Sequence, residues 1–422
     1  MRILDVSPRV VHPPTRGSSV RAANLLRALA ERHEVRQLSQ ARLSRRGDPE
    51  GARGHCVVTS SYVELRMAAP VATAATELGA RSWVRAPVLS GVGLGPSPRL
   101  RAQVAWADVV LVEFPWQFAA CRRARSDVPI VLAGCNVEAA KFADYAAAAG
   151  SPRTAPIWLR VIERLERRAV QGADLVLAVS DADRDELIRR YSPAPQRVVT
   201  IPNGADTTRY RPTPLETRRA ARARLGLPER STVLFAGADV PPNRAGLAWV
   251  RRLAAQAPHL TFLVTGAVAP PSRDGVVATG LLDDFGLALA AADFAVCPIE
   301  FGGGTKIKLL EGLAAGLPTV AFAEALHGLD IDGEVLAAPK TEHGLLSALD
   351  RLSDPVVARE LSRRGRDWVV ARYDWRAIAR RLEVHLEDLV ARRECAQAAA
   401  VGSGSGSGSG SVREPTTSYT SS

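Results

Sequence analysis

Cysteine, lysine and long apolar runs are all scarce in this sequence, and each shortage excludes something. Five cysteines occur in 422 residues, Cys56, Cys121, Cys135, Cys297 and Cys395; the number is odd and no two are spaced Cys-x-x-Cys. A disulfide framework and a zinc site are therefore not expected, and a reducing cytoplasm is. No uncharged apolar run reaches the roughly 18 residues that a membrane-spanning helix needs. The first residues, Met1-Arg-Ile-Leu-Asp-Val-Ser, meet an aspartate early and contain no apolar leader, so they read as a buried strand rather than a signal peptide. Nucleic acid is disfavoured as a partner, because no basic run interleaved with aromatics and no zinc-finger or RNA-binding signature occurs.

What is present points to a two-part α/β protein. A chain of 422 residues exceeds one ordinary core, and its 46% hydrophobic content suits a folded molecule. The net charge of +11 is unevenly placed: residues 1–200 carry 29 Lys+Arg against 19 Asp+Glu, and the remaining 222 carry 26 against 25. A basic first half suits phosphates or an anionic membrane face, or is simply an arginine-rich solvated surface. The four lysines are Lys141, Lys306, Lys308 and Lys340, and two of them follow a triple glycine directly. That placement asks for a compact ammonium rather than for generic positive charge.

Short apolar runs alternate with helical stretches, the pattern of parallel sheets wound with helices. In the first half, strands are expected at Ile3–Val6, Asp108–Glu113, Val128–Ala133 and Asp174–Ser180, with another from Val198. Helices are expected over Ile157–Val170 and Asp181–Tyr191, the second capped by Ser180. A basic, proline-bearing connector runs from Arg209 to Glu229. Strands then recur at Thr232–Ala236, Thr261–Thr265, Val276–Thr279, Phe294–Pro298, Thr319–Phe322 and Glu334–Ala337. Helices lie between them near Arg244–Gln256, Asp284–Ala291 and Lys306–Ala315, and from Thr341 onward almost everything reads as helix. The domains are set accordingly at 1–205 and 206–395, with 396–422 a Gly/Ser-rich disordered tail. In open α/β sheets ligands gather at the carboxyl ends of strands, so the loops there carry the search for function.

One such loop stands out, Glu300-Phe-Gly-Gly-Gly-Thr-Lys-Ile-Lys-Leu-Leu-Glu311. A buried strand ends at Pro298, glycines follow, and a helix begins near Thr305. Glycines let a backbone approach an anion closely, and the amides and dipole of a helix start favour a pyrophosphate. Lys306 or Lys308 adds charge, and Glu311 is positioned along the helix to accept bonds from ribose hydroxyls.

This segment resembles the donor-site signature of the GT-B fold, retaining glycosyltransferases of family 4, in the subgroup carrying Gly-Gly-Gly-Thr-(Arg/Lys)-x-Lys-x-x-Glu. Leu234-Phe-Ala-Gly-Ala-Asp-Val-Pro-Pro-Asn243, Thr279-Gly-Leu-Leu-Asp-Asp284, His327-Gly-Leu329 and Asp332-Gly-Glu334 resemble further segments of its second domain. Pro13-Pro-Thr-Arg-Gly-Ser-Ser19, Asn136-Val-Glu138, Val179-Ser-Asp-Ala-Asp-Arg184 and Ile201-Pro-Asn-Gly-Ala-Asp206 match the first in order. The resemblance implies two Rossmann-like domains facing a cleft, the first for acceptor and the second for donor, with the last helices (375–393) crossing back. Trp368, Tyr373 and Trp375 are expected to anchor that crossing.

It further implies transfer of a hexose, with retention, from a UDP- or GDP-sugar to a saccharide or lipid-linked acceptor. No metal and no cofactor beyond the donor are implied, and the setting is cell-envelope, exopolysaccharide or glycolipid synthesis in the cytoplasm, with peripheral contact to an anionic membrane one option. Asn136, Glu138 and Lys308 are the expected catalytic residues. Gly17, Arg244, Gly302, Gly303, Gly304, Thr305, Lys306, Lys308 and Glu311 are the expected donor-binding set, with His12, Arg16, Cys135 and Glu300 as secondary candidates. Three departures from the family pattern stand out. Gly303 occupies the place of a first glutamate, Ala238 and Asn243 stand where many relatives carry Arg and Lys, and Cys135 stands where a histidine is common. A non-catalytic nucleotide-sugar-binding relative or partner of another transferase, and a sugar-nucleotide epimerase, remain open readings of the same residues.

Overall fold

Fully apolar tetrads such as Val109-Val-Leu-Val112 form strands buried on both faces, which is the condition for a parallel sheet covered by helices on each side. The structure, a computed structural model, describes residues 1–41, 54–68, 97–125, 127–148, 155–273 and 275–404. Its first eight strands are β1 (Arg2–Ser7), β2 (Glu34–Ala41), β3 (Gly54–Thr59), β4 (Tyr62–Ala68), β5 (Val109–Val112), β6 (Ile130–Leu132), β7 (Leu175–Ala178) and β8 (Val198–Thr200). They form one sheet in the order β3-β4-β2-β1-β5-β6-β7-β8, parallel except for the β3–β4 edge pair. The connecting helices are α1 (Gly17–Leu29), α2 (Pro98–Trp106), α3 (Pro115–Ala124), α4 (Glu138–Ala148), α5 (Ala155–Gly172) and α6 (Asp181–Tyr191). The Ser180 hydroxyl caps α6 by accepting from the Asp183 amide, as expected.

The second sheet holds β9 (Ser231–Ala236), β10 (Leu260–Thr265), β11 (Val276–Gly280), β12 (Phe294–Cys297), β13 (Thr319–Ala321) and β14 (Leu336–Ala337). Their order is β11-β10-β9-β12-β13-β14, all parallel. With it go α7 (Leu215–Leu225), α8 (Pro241–Gln256), α9 (Phe285–Ala291), α10 (Ile307–Ala314), α11 (Glu342–Arg351), α12 (Pro355–Arg372) and α13 (Trp375–Gly404). The α/β fold read from the sequence is thus present, as two Rossmann-like units.

The last helix crosses back as expected. Trp375, Ile378, Ala379, Leu382 and Leu386 recur at helical spacing and bury one stripe of α13 among α1 residues such as Leu25, Leu26 and Leu29. Each fully buried leucine or isoleucine there contributes about 1.5–3 kcal/mol. Trp368 and Tyr373 stay in the core of the second unit with their rings 4.6 Å apart, while Trp375 is buried in the core of the first, so the three aromatics flank the crossing from both sides.

Two expectations are corrected. The basic connector contains α7: its arginines are not loose, because Arg218 and Arg222 both grip Asp293, and Gly226 closes the helix in the left-handed conformation. The expected tail is helical through Gly404, since the alanines after Cys395 prolong α13. Residues 405–422, the rest of that tail, lie outside the described residues.

Candidate active site

The loop between β12 and α10 needs its glycines. Gly302 and Gly304 have φ of 101° and 68°, and a Cβ at Gly304 would stand 2.5 Å from Asn136 Oδ1 and 2.7 Å from the Cys135 carbonyl. Only glycine lets this loop lie against the first unit. Lys306 shapes the loop from within: its ammonium donates to the carbonyls of Gly302, Gly303 and Gly304 at 2.7, 3.2 and 2.8 Å. Burial pulls its pKa down to about 8. Thr305 is held from the first unit, where Asn203 Nδ2 donates to its hydroxyl and carbonyl at 2.8 and 3.2 Å. Gly17, at the start of α1, faces Ile307, the first residue of α10.

Behind the loop, Lys308 donates to Asn243 Oδ1 at 2.7 Å and lies 4.7 Å from the centre of the Phe235 ring. Asn243 in turn donates to the Ala238 carbonyl at 2.8 Å. The two positions that depart from the family pattern therefore converge on one lysine, whose pKa burial lowers. Glu311 is buried and makes no hydrogen bond among the described residues; burial raises its carboxyl to about 8, with Arg209 opposing. A carboxyl of that kind is a fitting partner for ligand hydroxyls.

Facing the loop, Asn136 donates to Glu138 Oε1 at 3.0 Å, and Glu138 is also paired with Lys141. Sequence reasoning missed what holds this corner. Glu166, buried in α5, accepts from the amides of Glu138 and Ala139 at 2.6 and 2.9 Å and from the Tyr191 hydroxyl at 2.6 Å. It anchors the start of α4, where Asn136 and Glu138 sit. Arg21, buried in α1, was missed as well: it donates to the carbonyls of Ile201 and Pro202, both at 2.8 Å, and to Asn203 Oδ1 at 3.2 Å. Glu166 does not stand out from its Arg/Glu-rich helix, and Arg21 is one of two arginines in α1.

The remaining candidates are dispersed. Arg244 is ion-paired with Asp239 on the surface, and Arg16 faces that same aspartate from the start of α1. Cys135 is a buried thiol pushed up to about 12 by desolvation; its carbonyl, not its sulfur, meets Gly304. His12 is buried with Nε2 2.9 Å from the Tyr62 hydroxyl. Glu300 is half-buried, and its field reaches Lys340. Asp-x-Asp spacings occur at Asp181-Ala-Asp183, Asp183-Arg-Asp185 and Asp330-Ile-Asp332. Asp183 is spent on the α6 cap beside Ser180, and Asp330 is exposed and paired with Arg372. Among the described residues, the group with ligand spacing for a metal is His33, Glu383 and Glu387. It lies where α13 passes the far end of α1 from Gly17.

Known proteins resemble this chain in sequence and in fold. A sequence model described as Glycosyltransferase Family 4 matches residues 15–209, and one described as Glycosyl transferases group 1 matches residues 230–355. The chain is 31% identical over 314 residues to a D-inositol 3-phosphate glycosyltransferase of Saccharomonospora viridis, covering 66% of this chain and 69% of that protein. It is 29% identical over 304 residues to a GDP-mannose-dependent alpha-(1-6)-phosphatidylinositol monomannoside mannosyltransferase of Mycobacterium tuberculosis, covering 61% and 76%. Among solved structures, sucrose-phosphate synthase from Thermosynechococcus elongatus superposes with a TM-score of 0.69 at 20% identity, over 93% of this chain and 100% of that one. The Anabaena protein HepE in complex with UDP-glucose superposes with a TM-score of 0.67 at 15% identity, over 92% and 100%. At such identities the structural likeness is one of fold.

Proposed function

This chain belongs to glycosyltransferase family 4 and is a glycosyltransferase, and from that premise we propose that it moves a hexose from a UDP- or GDP-sugar to a saccharide or lipid-linked acceptor with retention and without metal. The observation that carries this reading is the convergence of the glycine loop, Lys308 and Glu311 behind β12 with Asn136 held against that loop from the other unit.

In this reading the donor diphosphate lies at the start of α10, where free amides and the helix dipole meet negative charge. Lys308 brings a positive charge to the corner that Ala238 and Asn243 leave neutral. Stabilising the departing diphosphate is the main electrostatic task of the reaction, and fixed amides with an ammonium perform it. Glu311 bonds the ribose hydroxyls. Asn136, oriented by Glu138, contacts the sugar. The C1–O bond to phosphate breaks as the acceptor oxygen bonds C1 on the same face, and the acceptor proton passes to the departing phosphate oxygen. Gly303 at the place of a first glutamate leaves the sugar hydroxyls to main-chain groups of the loop.

The M. tuberculosis relative is named for GDP-mannose and a phosphatidylinositol mannoside, and the Anabaena neighbour was solved with UDP-glucose; both names support a nucleotide-sugar donor. The basic first half supports work at an anionic cytoplasmic membrane face, in envelope, exopolysaccharide or glycolipid synthesis, and no helix among the described residues is long and apolar enough to cross a membrane.

The test is nucleotide release from UDP- and GDP-hexoses with candidate acceptors, with and without EDTA, followed by the anomeric configuration of the product. Retained activity in EDTA and a retained anomer are expected. An inverted product, a metal requirement or isomerised donor overturns the corresponding part of the reading.

A further inference from the structure

Beyond the end of α1 the chain turns at His33 into β2, and α13 returns over that turn. Trp375, Ile378, Leu382 and Leu386 face the core of the first unit, which fixes the rotation of the helix. Glu383 and Glu387 each follow one of those leucines and are four residues apart, so they share the neighbouring face of α13. That face meets His33. A ring nitrogen of His33, an oxygen of Glu383 and an oxygen of Glu387 all lie within 4.8 Å of one another. Like charges one turn apart repel, and Glu387 has neither an ion pair nor a hydrogen bond among the described residues to offset that repulsion.

The other two side chains are buried, 7% exposed for His33 and 8% for Glu383. Their facing atoms, His33 Nε2 and Glu383 Oε1, are 2.7 Å apart, yet neither has a hydrogen-bond partner among the described residues. At that separation a ring N–H aimed at the oxygen would make a strong bond. The oxygen instead stands to one side of the line along which the ring nitrogen donates or accepts. The remaining atoms of the pair are engaged: Arg32 donates to Glu383 Oε2 at 3.2 Å, and His33 Nδ1 is 3.4 Å from the Met1 amino group. Nε2 and Oε1 are thus left over side by side, with the exposed Glu387 next to them.

We infer that His33, Glu383 and Glu387 bind a divalent transition-metal cation, zinc in preference to magnesium or calcium, which fastens α13 to the turn before β2. A cation in line with Nε2 takes the nitrogen lone pair at about 2.1 Å and accepts carboxylate oxygens alongside, the side on which the Glu383 oxygen stands. One imidazole with two carboxylates is a donor set for zinc, whereas magnesium and calcium favour oxygen throughout. Glu387 opens the site to solvent, and a water completes four-coordination. The cysteine count gives no sign of such a site, because none of its ligands is a thiol. All 13 residues of α1, a span of about 20 Å, separate it from Gly17 and the donor loop, so its work is mechanical and independent of the transfer reaction.

The experiment strips the full chain with EDTA, removes the chelator, and titrates Zn²⁺, Mg²⁺ and Ca²⁺ by calorimetry, with thermal unfolding in parallel. Wild type is expected to bind one Zn²⁺ per chain and to gain a few degrees in its thermal midpoint, with no such response to Mg²⁺ or Ca²⁺. Both His33→Gln and Glu387→Gln should weaken Zn²⁺ binding by at least about tenfold. Glu387 is exposed, so the cation-free Glu387→Gln protein should unfold as wild type does, which guards against a folding defect in the His33 variant. Absence of Zn²⁺ binding to wild type overturns the inference, as does equal binding by Glu387→Gln, or Mg²⁺ or Ca²⁺ bound as tightly as Zn²⁺. A metal requirement for nucleotide release that wild type and Glu387→Gln share counts instead against the metal-free transfer proposed above.

Discussion

The two units bury charge in opposite ways. In the first, buried carboxylates are netted by several donors: Glu64 by an amide, a hydroxyl and Arg66, and Glu166 by two amides and Tyr191. In the second, buried charges have local partners or none. Lys306 has only the carbonyls of its own loop, Lys308 one amide oxygen and a ring face, and Glu311 no hydrogen bond. A fully satisfied network stiffens a fold, whereas an unsatisfied buried charge costs stability and persists where a ligand completes it. The first unit thus spends Glu64 and Glu166 on its scaffold, whereas the second leaves Glu311 without a hydrogen bond among the described residues.

The largest effect that sharpens this contrast is on stability. Glu64→Ala leaves Arg66 and the Val11 amide buried without their partner and should cost about 3–5 kcal/mol in chemical denaturation. Glu311→Ala removes a lone buried acid and should leave the unliganded protein within about 1 kcal/mol of wild type. Equal losses in the two variants would erase the distinction.

Next comes Gly304→Ala. Its methyl group would push the donor loop off Asn136 and the Cys135 carbonyl, and a misplacement of about 1 Å slows such reactions on the order of 100-fold. Nucleotide release should fall by that much while the unfolding free energy drops by only about 1 kcal/mol. An active Gly304→Ala protein would mean that the loop need not touch the first unit.

A further contrast is the pH dependence of Glu311. Its folded-state pKa, raised by burial to about 8 from the ordinary 4.5, makes the folded protein hold a proton that the unfolded chain releases across this window. Unliganded stability should therefore fall as pH rises from about 4.5 to about 8, and that part of the fall should vanish in Glu311→Gln. The raised acids of the first unit, Asp5 and Glu166, remain in both proteins and cancel in the difference. Identical pH profiles would remove Glu311 from the set of buried titrating groups.

How much of this was legible in the sequence follows from the same contrast. Strands made of unbroken apolar residues, β5 through β7 and most of the second sheet, announced themselves, and so did the glycine loop with its two lysines. Strands β2 and β4 did not, because Gln37, Ser39, Gln40, Glu64 and Arg66 give them the composition of surface segments. Gln37, Ser39 and Glu64 are buried through bonds among themselves and to Tyr62, Asp5 and Arg66, while the Gln40 amide is buried without a partner among the described residues. Glu166 sits three residues from Glu163 in one helix; the first is buried under α4 and the second pairs with Arg167 on the surface. Nothing local separates them. The links that assemble the site, Asn203 to Thr305 and Lys308 to Asn243, join residues 102 and 65 positions apart and belong to the tertiary fold.

The chain passes between its halves twice, near 201–207 and near 373–375, and the two passages are stitched together. The Ala205 amide donates to the Tyr373 carbonyl at 2.8 Å, the Trp375 amide donates to the Ala205 carbonyl at 3.3 Å, and a side chain at Gly204 would meet that same Tyr373 carbonyl at 2.5 Å. Mechanically this is a pinned joint, which resists sliding and leaves a swing as the easiest motion. Thr305 hangs from Asn203, two residues from the pin, so a swing about this joint would carry the glycine loop through only a short arc. The rims farthest from the joint sweep the widest path.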